Sequence, residues 1–135
     1  MENVIAAARS LGRMIQQDER YARYAQAQSQ NENDLELQEM IRSFHRVRAE
    51  LNQENVKADQ DADRLESLDR ELKELYADIF RNDNMIELNE ARGALEEMVS
   101  FATQIITGAS NGQNPDAIEY SASCGGSCAS CAGCA

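Results

Sequence analysis

The sequence predicts an all-α fold, an antiparallel bundle or hairpin of about four to five helices. Two observations carry this. One is composition: a single Pro, no Trp and three Phe stand among abundant Ala, Leu, Glu, Gln and Arg, the residues that lose least on entering a helix. The other is apolar spacing at i, i+3/i+4 through most of the first 106 positions, interrupted only by short polar clusters. A chain of 135 residues fits one domain able to bury roughly two thirds of its unfolded surface. The helical body is expected over 1–108, and a linker with a cysteine-rich tail over 109–135.

Val4, Ile5, Ala8, Leu11 and Ile15 form a helical stripe, which predicts a helix over 2–17. Gly12 inside it costs roughly 1 kcal/mol against Ala, so it is either tolerated or used for close helix packing. Asp18-Glu19-Arg20 predicts a bend. Tyr21, Tyr24, Ala25 and Gln28 resume helical spacing, and both tyrosines read as packing residues.

The polar run Ser29–Asn33 breaks the pattern, and Asp34 is placed to cap the next helix. Leu37, Met40, Phe44, Val47 and Leu51 then follow heptad spacing, resumed at Leu65, Leu68, Leu72, Leu75 and Ile79. Between the two runs the slots hold Glu54, Ala58 and Asp61, which make no apolar seam. A single long helix with a weak middle fits this pattern. A hairpin turning near 53–60 fits better, since a helix lacking a central core would need a partner for both halves.

Arg81–Asn84 reads as a turn. A last helix is expected from Met85 to Ile106, with Leu88, Leu95, Val99, Ala102 and Ile106 inward and Gly108 as its stop. Asn111-Gly112 and Asn114-Pro115-Asp116 signal turns. Ile118 and Tyr120 are the last bulky apolar residues and are expected to dock the root of the tail. Beyond Ser121 nothing can pack a core, so the tail is expected to be disordered unless a metal orders it.

That tail holds all four cysteines: Cys124, Cys128, Cys131 and Cys134, spaced C-x3-C-x2-C-x2-C with only Gly, Ser and Ala between them. Small spacers let backbone fold closely around a ligand, and soft thiolates suit a soft metal centre. The C-x2-C-x2-C portion matches part of the bacterial ferredoxin pattern, so an iron–sulfur cluster is the first expectation. Structural zinc is the second, although such sites usually join two separated C-x2-C pairs. A thiol/disulfide or unliganded tail is the third.

No catalytic constellation is present. The sequence lacks G-x-S-x-G, P-loop and G-x-G-x-x-G signatures, and the Glu-x-x-His pairs of di-iron bundles are absent. His45, the single histidine, has no Cys near it and reads as a surface residue. Asp59, Asp61, Asp63 and Glu66 read as a solvated face with Lys57, Arg64, Arg70 and Lys73. The net charge of −11 disfavours direct contact with nucleic acid or an anionic membrane. No apolar run approaches the roughly 20 residues of a membrane span, and the start does not read as a signal peptide. The expected location is the cytoplasm, where thiols stay reduced.

The order of these elements resembles the YlbF/YmcA family of bacterial regulators over nearly the full length. The residues that carry the likeness are Ala8-Arg9-Ser10-Leu11-Gly12 with Ile15, then Tyr21, Tyr24, Phe44, Leu72, Leu75 and Ile105-Ile106-Thr107-Gly108. The Cys124–Cys134 tail is similar to that of the YlbF-type branch. The chain departs from the pattern in having no Gly near the hairpin turn at 53–60. The resemblance implies a non-enzymatic adaptor that works with YmcA-like and YaaT-like proteins. It further implies a [4Fe-4S] cluster and an indirect role in RNase Y-dependent mRNA processing, competence, sporulation and biofilm development. A homo- or hetero-oligomer through the helices is also expected. Two rivals from other classes stand beside this: a small iron–sulfur electron-transfer or thiol redox protein, and a structural helical assembly protein whose tail is incidental.

Overall fold

The computed structural model describes residues 1–122. These hold helices α1 (Glu2–Gln17), α2 (Glu19–Asn33), α3 (Leu35–Asn55), α4 (Ala62–Arg81) and α5 (Asp83–Ser110), then a 3-10 turn at Pro115–Ala117. No strand occurs among them, and the all-α expectation holds. The chain divides into two compact units, Met1–Gly93 and the residues from Ala94 onward.

Within the first unit, three helix junctions are single residues with short polar side chains. Asp18 is extended and accepts from Arg20 N at 2.9 Å. Asp34 accepts from Leu37 N at 3.0 Å, the N-cap that its position predicts. Asn82 accepts from Met85 N at 3.1 Å, so the turn expected over 81–84 narrows to one residue. Each of these caps satisfies an amide that a helix start leaves without a partner. Asp34 also ties the two later junctions together: its Oδ2 accepts from Asn82 Nδ2 at 3.1 Å and Asn84 Nδ2 at 2.8 Å.

The expected break at Ser29–Asn33 does not occur, because α2 continues to Asn33. The polar side chains there find partners that leave the helix intact. Asn33 Nδ2 donates to Ser29 O at 2.8 Å. Asn31 is buried, and Gln38 Nε2 donates to its carbonyl at 2.9 Å. A run of Ser, Gln and Asn ends a helix only when those groups compete with the backbone, and here they do not.

α3 and α4 form the hairpin, with Leu37, Val47, Leu68 and Ile79 buried. It turns without glycine. Val56 stays right-handed at φ −95°, and no residue other than glycine has positive φ among the described residues. Side chains close the turn instead: Gln60 Nε2 donates to Asn55 O at 2.6 Å, and Glu54 Oε1 accepts from Asp61 N at 3.0 Å. Asp61, an empty slot in the heptad reading, is the N-cap of α4. A second small core joins α2 to the start of α5 through Ala27, Leu88 and Ala91, with Tyr24 packed on it. Tyr21, by contrast, is exposed.

In the second unit the expected stop at Gly108 is corrected. α5 runs on to Ser110, and the left-handed residue is Gly112, at φ 84°. Gly108 is needed for closeness instead. A Cβ there would lie 2.5 Å from both Ile118 Cδ1 and Gln113 Oε1. Of the residues expected inward on α5, Leu88 is buried and Leu95 and Ala102 are half-buried, while two are not covered. Val99 and Ile106 are exposed, while Phe101 and Ile105 are half-buried. The returning segment covers one side of the helix and so selects the second pair.

Candidate functional site

The first candidate surface is α1. Its apolar stripe is strongly one-sided, yet none of its residues is buried. Val4 is 70% exposed and Ile5 45%, and only Leu11 and Ile15, near the bend, are half-buried. A Cβ added at Gly12 would meet nothing within 4 Å, so this glycine serves no close packing among the described residues. In proteins most helical stability comes from packing of the amphipathic face, and this 16-residue helix packs little of its own. The stripe is therefore an apolar face left mostly uncovered among the described residues.

A second surface lies on the hairpin. Phe44 and Tyr76 have ring centroids 6.3 Å apart, and Tyr76 and Phe80 stack at 4.4 Å. Phe44, Leu72 and Tyr76, with Asp69 and Lys73 at the rim, enclose a groove of about 290 Å3. A two-helix hairpin buries one stripe per helix, so the heptad residues flanking that stripe stay half-exposed. Tyr76 and Phe80 are exposed as aromatic rings rather than aliphatic side chains, the composition typical of contact surfaces.

Some charged side chains tie one element to another, and others pair along a single helix. Arg23 of α2 makes a bidentate pair with Glu87 of α5, Nε to Oε1 at 2.7 Å and Nη2 to Oε2 at 2.9 Å. The hydrogen bond from Arg23 lowers the Glu87 carboxyl below its ordinary value. Lys57 pairs with Glu54 at 2.6 Å, while Glu66–Arg70 and Asp69–Lys73 are pairs along α4 at 3.1 and 2.6 Å. Asp59, Asp61, Asp63 and Glu66 are exposed, as expected of a solvated face. Glu54 is buried beneath the turn, where Lys57, Asp61 N and Arg64 converge on it. An acidic residue in an apolar heptad slot was the sequence signal for this role.

His45 is exposed on α3, and its Nδ1 accepts from Arg48 Nη2 at 3.3 Å. No cluster of His, Asp and Glu able to hold a metal ion occurs among the described residues. No described helix is long and apolar enough to cross a membrane.

In the second unit, the segment after α5 is fastened back along it. Ile118 sits on Gly108, and Tyr120 meets Phe101 edge-on at 5.8 Å. This is the docking expected of Ile118 and Tyr120. Beyond them, Gln104 Nε2 donates to Ser121 O at 2.8 Å, and Ser121 N donates back to Gln104 Oε1 at 3.0 Å. Sequence pattern gives no warning of this second pairing, because a glutamine on a helix has no periodic signature. Cys124, Cys128, Cys131 and Cys134 lie outside the described residues, as does the expectation about the order of the tail.

A family model described as control of competence regulator ComK, YlbF/YmcA, matches residues 4–109. No curated protein and no solved structure matches the chain.

Proposed function

Because the chain belongs to the YlbF/YmcA family of competence regulators, we propose that it is a non-enzymatic regulatory adaptor. It binds helical partners through its uncovered apolar faces and an iron–sulfur cluster through its cysteine tail. The observation that carries the adaptor reading is α1, an amphipathic helix with no buried residue. Its partners on this reading are a YmcA-like protein, whose helices would cover the α1 stripe, and a YaaT-like protein. The effect on RNase Y-dependent mRNA processing, and through it on competence, sporulation and biofilm development, is indirect. With a net charge of −11, the adaptor reaches RNA through those partners rather than by itself. It acts in the cytoplasm.

The donor set fits a [4Fe-4S] cluster. Four soft thiols fall within eleven residues, with no side chain larger than Ser between them. Cys124, Cys128, Cys131 and Cys134 would hold it, and the bound cluster would make adaptor activity depend on iron or oxygen.

Two measurements test this. Leu11→Asp should abolish co-purification with a YmcA-like partner while leaving helical circular dichroism unchanged; undiminished binding would remove α1 from the interface. Anaerobic reconstitution should give a broad band near 400 nm that reductant bleaches, a position typical of such clusters. Cys131→Ser should lose iron and sulfide, and full iron content in that variant would rule out the tail. Zinc without colour would make the tail a structural zinc site instead.

A further inference from the structure

We propose that the aromatic face of the α3/α4 hairpin binds a second copy of this chain, giving a four-helix dimer in which α3 of each copy lies on α4 of the other. This goes beyond the adaptor reading, which assigns α1 to a different protein, and it stands or falls without that reading.

A two-helix hairpin has two faces, and here they differ. On one, charges bridge the helices: Arg46 to Glu71 at 3.7 Å and Arg64 to Glu50 at 3.8 Å, with Glu50 also holding Arg46 at 3.0 Å. That face is finished in water. The other carries Phe44 and Tyr76 around the groove, with Phe80 stacked on Tyr76. Tyr76 is 53% exposed and Phe80 46%. Rings left in water on one face only gain most from a second apolar layer, which is how a hairpin completes a four-helix bundle.

The charges on this face say what the layer is. Arg48 lies over the Phe44 ring, 5.7 Å from its centroid, and meets His45 Nδ1 at 3.3 Å. No carboxylate pairs with it among the described residues. Asp69 at the groove rim pairs only along its own helix, with Lys73. The Arg46–Glu71 bridge fixes the register of the two helices. Two residues onward along α3 and two back along α4, Arg48 therefore stands level with Asp69. A two-fold axis running along the hairpin lays α3 of one copy antiparallel on α4 of the other and keeps every level. It sets Arg48 of each copy opposite Asp69 of the other, twice, and Tyr76 opposite Ile41. An isologous interface needs such self-complementarity, and this face carries both signs in the right places.

The size is also sufficient. The helices have 21 and 20 residues, so each is about 30 Å long, and two side by side cover roughly 600 Å2 in plane. Side-chain relief raises the accessible area toward the roughly 800 Å2 per partner that a stable complex buries.

The test uses the full chain in dithiothreitol and chelator, so that neither disulfides nor a shared cluster joins two copies. Sedimentation equilibrium should give the mass of two chains at tens of micromolar. Tyr76→Ala and Phe80→Ala, both at exposed positions, should each raise the dissociation constant about tenfold or more with helical circular dichroism unchanged. Arg48→Glu alone and Asp69→Arg alone should each be monomeric, since each sets like charges opposite one another twice. Mixed in equal amounts, the two variants should form a one-to-one dimer, because both contacts are then between opposite charges. Leu11→Asp on α1 should leave the dimer intact. A wild-type monomer, or a dimer that none of the four hairpin variants weakens, would overturn the proposal. Single variants that stay monomeric on mixing would overturn the α3-on-α4 arrangement. A wild-type monomer whose Tyr76 and Phe80 become protected only when a YmcA-like protein is added would assign the face to that protein instead.

Discussion

Glu54 shows how much one side chain can organise. It occupies a slot where the heptad asks for an apolar residue, and it is 2% exposed. A buried carboxylate is costly unless paired, and here the pairing closes the turn between α3 and α4. The hydrogen bond from Lys57 is the main cause, followed by Asp61 N–H, that holds its carboxyl below the ordinary 4.5, against the opposing effect of burial. For a lowered carboxylate the stabilisation is complete above the ordinary value and disappears as pH falls through the lowered one. Glu54→Gln should lower the melting temperature by roughly 5 °C near neutral pH. It should also flatten the acid limb of a plot of melting temperature against pH. An unchanged acid limb would show that Glu54 does not contribute to it.

At the scale of elements, α1 and α3 are both amphipathic but stand in opposite situations. Val47 of α3 is fully buried against α4, whereas the α1 stripe faces outward. A charge at Val47 loses its hydration without gaining a partner, at a cost of about 3–5 kcal/mol. Val47→Asp should therefore unfold the hairpin. Leu11→Asp in the isolated protein should change stability by under about 1 kcal/mol. Thermal melts of the two variants, without partner, decide the matter. Equal loss would mean that α1 packs within the chain.

The whole molecule combines sparse cores with a fastened strap. Seven hydrophobic residues are buried among those described. The last described attachment, Gln104 to Ser121, comes before the first cysteine. Truncation after Ala122 should therefore leave helical circular dichroism and melting temperature nearly unchanged in metal-free protein. A fall of more than about 10 °C, well beyond a 1 kcal/mol effect, would make the tail part of the folded body.

Much of this was legible in the chain because helices announce themselves locally. The period of 3.6, the cap at Asp34 and the interrupted heptad over 54–61 specified helix, start and hairpin without reference to anything distant. Composition and cysteine spacing likewise pointed to a thiol-rich tail on a helical body. Polar residues were less transparent, since Asn31 or Gly108 means one thing alone and another beside its neighbour. Whether Ser29–Asn33 broke the helix depended on Gln38. Whether Gly108 ended α5 depended on Ile118, which lies ten positions later but against the same turn. The sequence by itself determined where helices form and which stripes they carry. Only the tertiary structure decided which stripes are covered, because two helices of a hairpin satisfy one face each and leave the α1 stripe mostly exposed.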